Sequence, residues 1–211
     1  MYPNQILRHK LGDFMELNPK YEQVIHDLLK HNYAVADGFF DASILIGLKK
    51  QLLMKMKADI LEKSGVGNKA QLVKNQQIRT DKIKWIEQDS TNKFEQLFNQ
   101  QINDFCQYLN RTCYTGIQNS EFHYACFEKG AFYKRHIDRF KNDNARKFSM
   151  VTYLNEDWIE TDGGKLMIYT EERAIPVLPI WARTVIFKSD LLEHEVMIAE
   201  KDRLSVTGWL K

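Results

Sequence analysis

The chain has 211 residues, with 30 Lys and Arg against 28 Asp and Glu, a formal net charge of +2, and 44% hydrophobic and 27% charged residues. These proportions exclude a disordered or fibrous chain, and near-neutrality gives no electrostatic reason to expect a nucleic-acid or membrane-surface partner. The length suits one domain, residues 1–211, with helical support over 1–115 and a strand-rich part over 116–211.

Met1 to Asn18 lacks the apolar core of a signal peptide, and no run approaches the roughly 20 apolar residues of a membrane span, which points to the cytoplasm. A first helix is expected from about Pro19 to His31, with Tyr21, Val24, Ile25, Leu28 and Leu29 on one face. A short strand, Tyr33 to Ala36, follows. A second helix starts at Asp41 as N-cap, carries Ile44, Leu45, Leu48, Leu52 and Met56 inward, and ends at Ser64 to Gly67. The third opens at Asp89 or Ser90 and spaces Phe94, Leu97, Phe98, Ile102, Phe105 and Leu109 by threes and fours.

Beyond Phe122 the period changes to that of strands: Phe122–Phe127, Phe132–His136, Phe148–Leu154, Lys165–Tyr169, Ala174–Val177, Thr184–Phe187, Glu195–Ile198 and Leu204–Leu210. Asp162-Gly163-Gly164 is the clearest turn. Eight closely spaced strands after three helices predict an α+β fold, a double-stranded β-helix or jelly roll buttressed by the N-terminal helices. Cys106, Cys113 and Cys126 have none of the short spacings of a zinc site and read as reduced, buried thiols.

His136 and Asp138 are two apart in a strand, so both side chains leave the same face. His194 lies 56 residues further on, where a jelly roll can return it alongside. Two His and one carboxylate on one face of a metal form the triad of non-haem iron(II) oxygenases, with three positions open to co-substrate and O2. Arg203, nine residues after His194, sits in an otherwise apolar or small strand and calls for a buried anion. The distal carboxylate of 2-oxoglutarate is such an anion.

Several ordered segments carry a resemblance: Ile78 to Glu87, Tyr133 to Asp138, Tyr153 to Trp158, Gly163 to Leu166, and His194-Glu195-Val196 with Arg203 and Trp209. Over roughly Tyr33 to Trp209 the chain resembles the prolyl hydroxylase domain family of 2-oxoglutarate oxygenases, notably the oxygen-sensing hydroxylases acting on hypoxia-inducible factor and their bacterial relatives. The resemblance implies hydroxylation of a proline, at C4, in an exposed loop of a protein substrate, with release of succinate and CO2 and ascorbate as reductant. It implies that His136, Asp138 and His194 hold iron(II) and that Arg203 and the Tyr153 hydroxyl bind 2-oxoglutarate, with Tyr124 and Thr207 also at the co-substrate. Trp209 and Arg146 would flank the substrate proline, and Asp81 would pair with Arg146 to order a closing loop. Target choice is assigned to loops such as Lys69 to Asp81. One departure is Phe127, where the oxygen-sensing members carry a tyrosine near the co-substrate; Tyr124 and Tyr133 are both open as replacements.

Two other readings compete. The substrate can instead be a small molecule or a nucleic-acid base, but the second arginine typical of nucleic-acid demethylases would stand where Trp209 is. Or the chain is a non-catalytic metal-binding jelly roll, which would release no succinate.

Overall fold

Two of the helices begin where an asparagine side chain binds the free backbone N–H groups of a first turn. In the computed structural model, which describes residues 17–65, 77–138 and 145–211, the Asn18 side chain accepts from Lys20 and Tyr21 N–H and opens α1 (Pro19–His31). Helix α2 (Ala42–Lys57) follows Asp41, whose backbone carbonyl, not its side chain, receives Ile44 and Leu45 N–H. Helix α3 (Lys93–Cys113) starts after Asn92, later than the sequence suggests. The Ser90 hydroxyl is engaged elsewhere, donating to Glu95 at 2.5 Å and accepting from Asn92 N–H at 3.1 Å.

Helix α2 also stops earlier than expected, at Lys57, with Asp59 in the left-handed region at φ 51°. Of the stretch expected to end it, residues 66 and 67 lie outside the described residues, as do residues 69–76 of the loop assigned to target choice and residues 1–16 of the N-terminal stretch. The buried stripes match the periodicity except at their edges. Leu29 is 75% exposed, because one residue beyond Leu28 turns it about 100° away from the core.

Three strands precede the expected eight: β1 (Tyr33–Asp37), β2 (Glu62–Lys63) and β3 (Lys82–Ile86). The eight are β4 (Ser120–Phe127), β5 (Tyr133–His136), β6 (Phe148–Tyr153), β7 (Leu166–Tyr169), β8 (Ala174–Val177), β9 (Arg183–Lys188), β10 (Glu193–Val196) and β11 (Arg203–Leu210). They form two antiparallel sheets: seven strands in the order β1-β9-β6-β11-β4-β3-β2, and four in the order β5-β10-β7-β8. Strand β10 begins two residues earlier than the apolar pattern indicated, which places His194 inside the ladder.

Strand alternation divides the interior into two cores. Phe122, Tyr124, Cys126, Leu204, Val206 and Leu210 face the helices and pack with Leu45, Leu48, Phe98 and Phe105. Their neighbours Ala125, Phe127, Val151 and Tyr153 face the smaller sheet and pack with Leu166, Ile168 and Val196. This is the jelly roll with helices on one outer face. Cys106 and Cys126 are buried, Cys113 is half-buried, and all three are free thiols. No helix among the described residues is long and apolar enough to cross a membrane.

Helix α2 meets α3 at Gly47, where a Cβ would fall inside van der Waals contact of the Phe94 ring. Gly47→Ala is therefore expected to destabilise by about 1–3 kcal/mol through overpacking. A drop in thermal midpoint checks this; an unchanged midpoint would show that the helices separate freely.

Candidate active site

The mouth of the roll gathers two imidazoles and a carboxylate. In the β5–β10 ladder His194 is the cross-strand partner of His136, so both rings leave the same face, with centroids 4.2 Å apart. Asp138 lies just past the end of β5; its Oδ1 is 3.4 Å from His136 Nε2 and its Oδ2 3.6 Å from His194 Nε2. One ligand atom from each of the three lies within 4.8 Å of the others.

Each group is held in place by its neighbours. His136 Nδ1 is 2.7 Å from the Lys134 carbonyl and His194 Nδ1 is 3.3 Å from that of Leu192, so each Nδ1–H donates to the backbone and Nε2 keeps its lone pair. Asp138 Oδ2 accepts from the Ser149 hydroxyl at 2.6 Å and from Trp209 Nε1 at 2.9 Å. Burial works against the charged Asp138 carboxylate, but His194, His136 and Ser149 outweigh it and hold the carboxyl well below its ordinary range. Burial, with the neighbouring His136, lowers His194 to about 4 against the pull of Asp138.

The same cavity carries a cation at its other end. It is lined by His136, Asp138 and His194 and also by Arg203, with apolar walls from Ala125, Phe127, Val151, Leu166 and Val196. Arg203 is 1% exposed. Its Nε donates to the Gly164 carbonyl at 2.9 Å, and its guanidinium lies 5.0 Å from the Phe127 ring and 4.8 Å from that of Tyr153. No carboxylate among the described residues forms an ion pair with it. Close by, the buried Tyr153 hydroxyl makes no hydrogen bond. Burial raises its pKa, and the nearby Arg203 charge opposes that rise.

Residues 122–211 match the model of the 2OG-Fe(II) oxygenase superfamily. A solved prolyl-4-hydroxylase from Pseudomonas putida is 30% identical, with TM-score 0.82 over 92% of this chain and 99% of its own. The chain belongs to the 2OG-Fe(II) oxygenase superfamily. A Trichoplax adhaerens prolyl hydroxylase, solved with a fragment of the hypoxia-inducible factor oxygen degradation domain, is 26% identical with TM-score 0.82, covering 90% of this chain and 88% of that one. A prolyl 3,4-dihydroxylase, OGFOD1, from Ostreococcus tauri is 32% identical over 80 residues, which span 16% of its length.

The residues present fit the groups such an oxygenase uses. Two imidazole nitrogens and a carboxylate suit iron(II) with a face left open. The buried guanidinium and the orphaned phenol beside it suit a carboxylate, since a buried cation and an unpaired donor both gain from an anion. Arg203 needs room, and Gly164 provides it: at φ +62° it accepts the left-handed backbone, and a Cβ there would reach 3.0 Å from Arg203 Cδ.

Several expectations about the surroundings need correction. Tyr124 points into the helix-facing core, where its hydroxyl donates to Glu95 at 2.9 Å; strand parity puts it on the opposite face from Ala125 and Phe127. Tyr133, the other candidate, does line the cavity and stacks on His136 with centroids 3.6 Å apart. Asp81 is not held by Arg146. Its carboxylate receives Arg79 through two bonds of 2.8 and 2.6 Å and the Ser64 hydroxyl at 2.5 Å. Arg146 instead donates to the Asp138 carbonyl at 3.0 Å and to Glu121 at 3.4 Å, and lies over Trp209 at 3.5 Å. Trp209 and Arg146 share the outer part of the cavity, about 260 Å³, with Trp85 and Tyr133. Thr207 lines the inner part, 3.2 Å from the Ser205 hydroxyl.

Sequence reasoning missed Ser149, Arg79 and His123. Ser149 had no signal beyond strand parity. His123 had one, an imidazole inside an otherwise apolar strand.

Two outcomes follow. Tyr124→Phe is expected to cost about 1–3 kcal/mol of stability by leaving Glu95 less well paired, with no change in 2-oxoglutarate requirement; a raised requirement would return Tyr124 to the site. The second concerns acid. Burial lowers His194 to about 4 and His123 to about 3 from an ordinary 6.5. The folded state therefore binds fewer protons than the unfolded state, and stability falls as pH drops below 6.5. Each histidine contributes up to about 1.4 kcal/mol per pH unit. Urea midpoints of metal-free protein at pH 7 and pH 5 measure this, and equal midpoints would contradict it.

Proposed function

We propose that this chain hydroxylates a proline residue of a protein substrate, consuming 2-oxoglutarate and O2 and releasing succinate and CO2. The observation that carries the reading is a single cavity with the His-Asp-His cluster at one end and the unneutralised Arg203 at the other. A dicarboxylic 2-oxo acid has two unlike ends that match those two groups. The Pseudomonas putida and Trichoplax adhaerens structures are both prolyl hydroxylases, and the Ostreococcus tauri relative is a prolyl 3,4-dihydroxylase.

His136, Asp138 and His194 would hold iron(II). Iron(II) with 2-oxoglutarate supplies activated oxygen that replaces a C–H hydrogen of the substrate. The chain's own work is placement. Arg203 and Tyr153 fix the distal carboxylate, and Ala125, Phe127, Val151, Leu166 and Val196 exclude water from the cavity. Ser149 and Trp209 orient the Asp138 carboxylate. Outside, Trp209, Trp85 and Tyr133 give a proline ring flat apolar walls, with Arg146 at the rim. Attack at C4, ascorbate as the reductant that keeps iron ferrous, and a cytoplasmic location belong to the same proposal.

His136→Ala is expected to abolish succinate release; near-normal turnover would remove His136 from the iron. Arg203→Ala is expected to raise the 2-oxoglutarate KM by about tenfold or more, the loss of a charge-assisted contact of roughly 1.5–3 kcal/mol, while iron binding by equilibrium dialysis stays near that of the parent. An unchanged KM would take Arg203 out of the site.

A further inference from the structure

His123 stands where the outer and inner parts of the cavity meet and lines both. It is paired with Trp85 on one neighbouring strand and Thr207 on the other. Its ring packs against two indoles, 4.9 Å from Trp85 and 5.6 Å from Trp209, which are themselves 6.5 Å apart. Despite being 2% exposed, it keeps an Nδ1 with no hydrogen-bond partner. Buried polar atoms are nearly always paired, so an orphan on a cavity wall points to a partner that arrives from outside.

The neighbouring polar groups are already engaged. Arg79 is held by Asp81, Trp209 Nε1 by Asp138, and Arg146 by the Asp138 carbonyl and Glu121. Burial, then the Arg79 charge, lowers His123 to about 3, so at neutral pH the ring offers one N–H and one lone pair. It suits an uncharged partner better than a phosphate or carboxylate. A peptide entering the outer cavity, which both indoles line, brings such a partner in its main chain, and a proline, having no N–H of its own, leaves its flanking amides to fix the register.

We propose that His123 is a substrate-positioning residue whose Nδ1 hydrogen-bonds a main-chain amide group of the proline-bearing segment. This rests on the prolyl hydroxylase reading above and adds a specific contact to it.

The test uses the iron-loaded, full-length protein with 2-oxoglutarate and a library of synthetic peptides, each with one central proline between varied residues. The readouts are oxygen incorporation by mass and succinate release without peptide. A wild type that oxidises no library peptide overturns the prolyl reading and this contact with it. If a peptide is found, His123→Asn and His123→Phe are compared on it. Asn keeps a polar atom at the distance of Nδ1 from the backbone but loses the ring; Phe keeps the ring and loses the polar atom. His123→Phe is expected to raise the peptide KM about fivefold or more, with kcat within about twofold. His123→Asn should stay near the wild type in peptide KM, and peptide-free succinate release is recorded for both variants to show that each is loaded. The reverse order, with Phe near normal and Asn impaired, would make His123 a packing wedge and overturn the proposal. So would a change confined to the 2-oxoglutarate KM.

Discussion

The antiparallel ladder between β5 and β10 sets His194 opposite His136, and the rest of the site depends on that pairing. A slip of one residue would turn His194 to the other face of its strand, because side chains alternate with a period of two. The adjoining ladder from β10 to β7 places His194 opposite Ile168, so the register is pinned from both sides. In the larger sheet, β11 sets Thr207 opposite His123 and Val151, and Trp209 opposite Ser149. The inward faces of β4, β6 and β11 thus form one wall, and the triad closes over it.

That wall is unusual for a core. Most of it is apolar, yet it includes a buried guanidinium, an unbonded phenol and an unbonded imidazole nitrogen. Each is costly to bury alone. Together they describe ligands by complement: an anion for Arg203 and Tyr153, and a neutral amide for His123. The helices make this affordable to the fold only indirectly, by burying the sheet's other face against α2 and α3.

Much of this was legible in the sequence, for identifiable reasons. Helix α1 showed its limits because its apolar stripe runs from just after Pro19 to the polar residues beyond Leu29, and the strands after Phe122 showed theirs through alternation and turns. The two-residue spacing of His136 and Asp138 and the solitary Arg203 in an apolar strand pointed to a His-Asp pair on one side and to a buried cation, and the structure has both. Partner choice was less legible. Asp81 takes Arg79, two residues away, which a bridge to Tyr133 holds beside it just before β3, and no spacing rule ranks it above Arg146. Tyr124 was misplaced although parity with Ala125 and Phe127 would have assigned it to the helix-facing core. The start of β10 was hidden because Glu193 and His194 are polar, and the apolar run begins only after the residue that matters.

The central claim is that one dicarboxylic 2-oxo acid is gripped at both ends, by a metal on His136, Asp138 and His194 and by Arg203. The most direct measurement is calorimetric binding to the manganese-loaded protein under anaerobic conditions of three acids: 2-oxoglutarate, 2-oxobutyrate without the distal carboxylate, and glutarate without the keto oxygen. The account predicts that 2-oxoglutarate binds far more tightly than either truncated acid. Equal affinity for 2-oxobutyrate would show that Arg203 holds no carboxylate, and equal affinity for glutarate would show that the keto end has no metal to chelate; either result would contradict it.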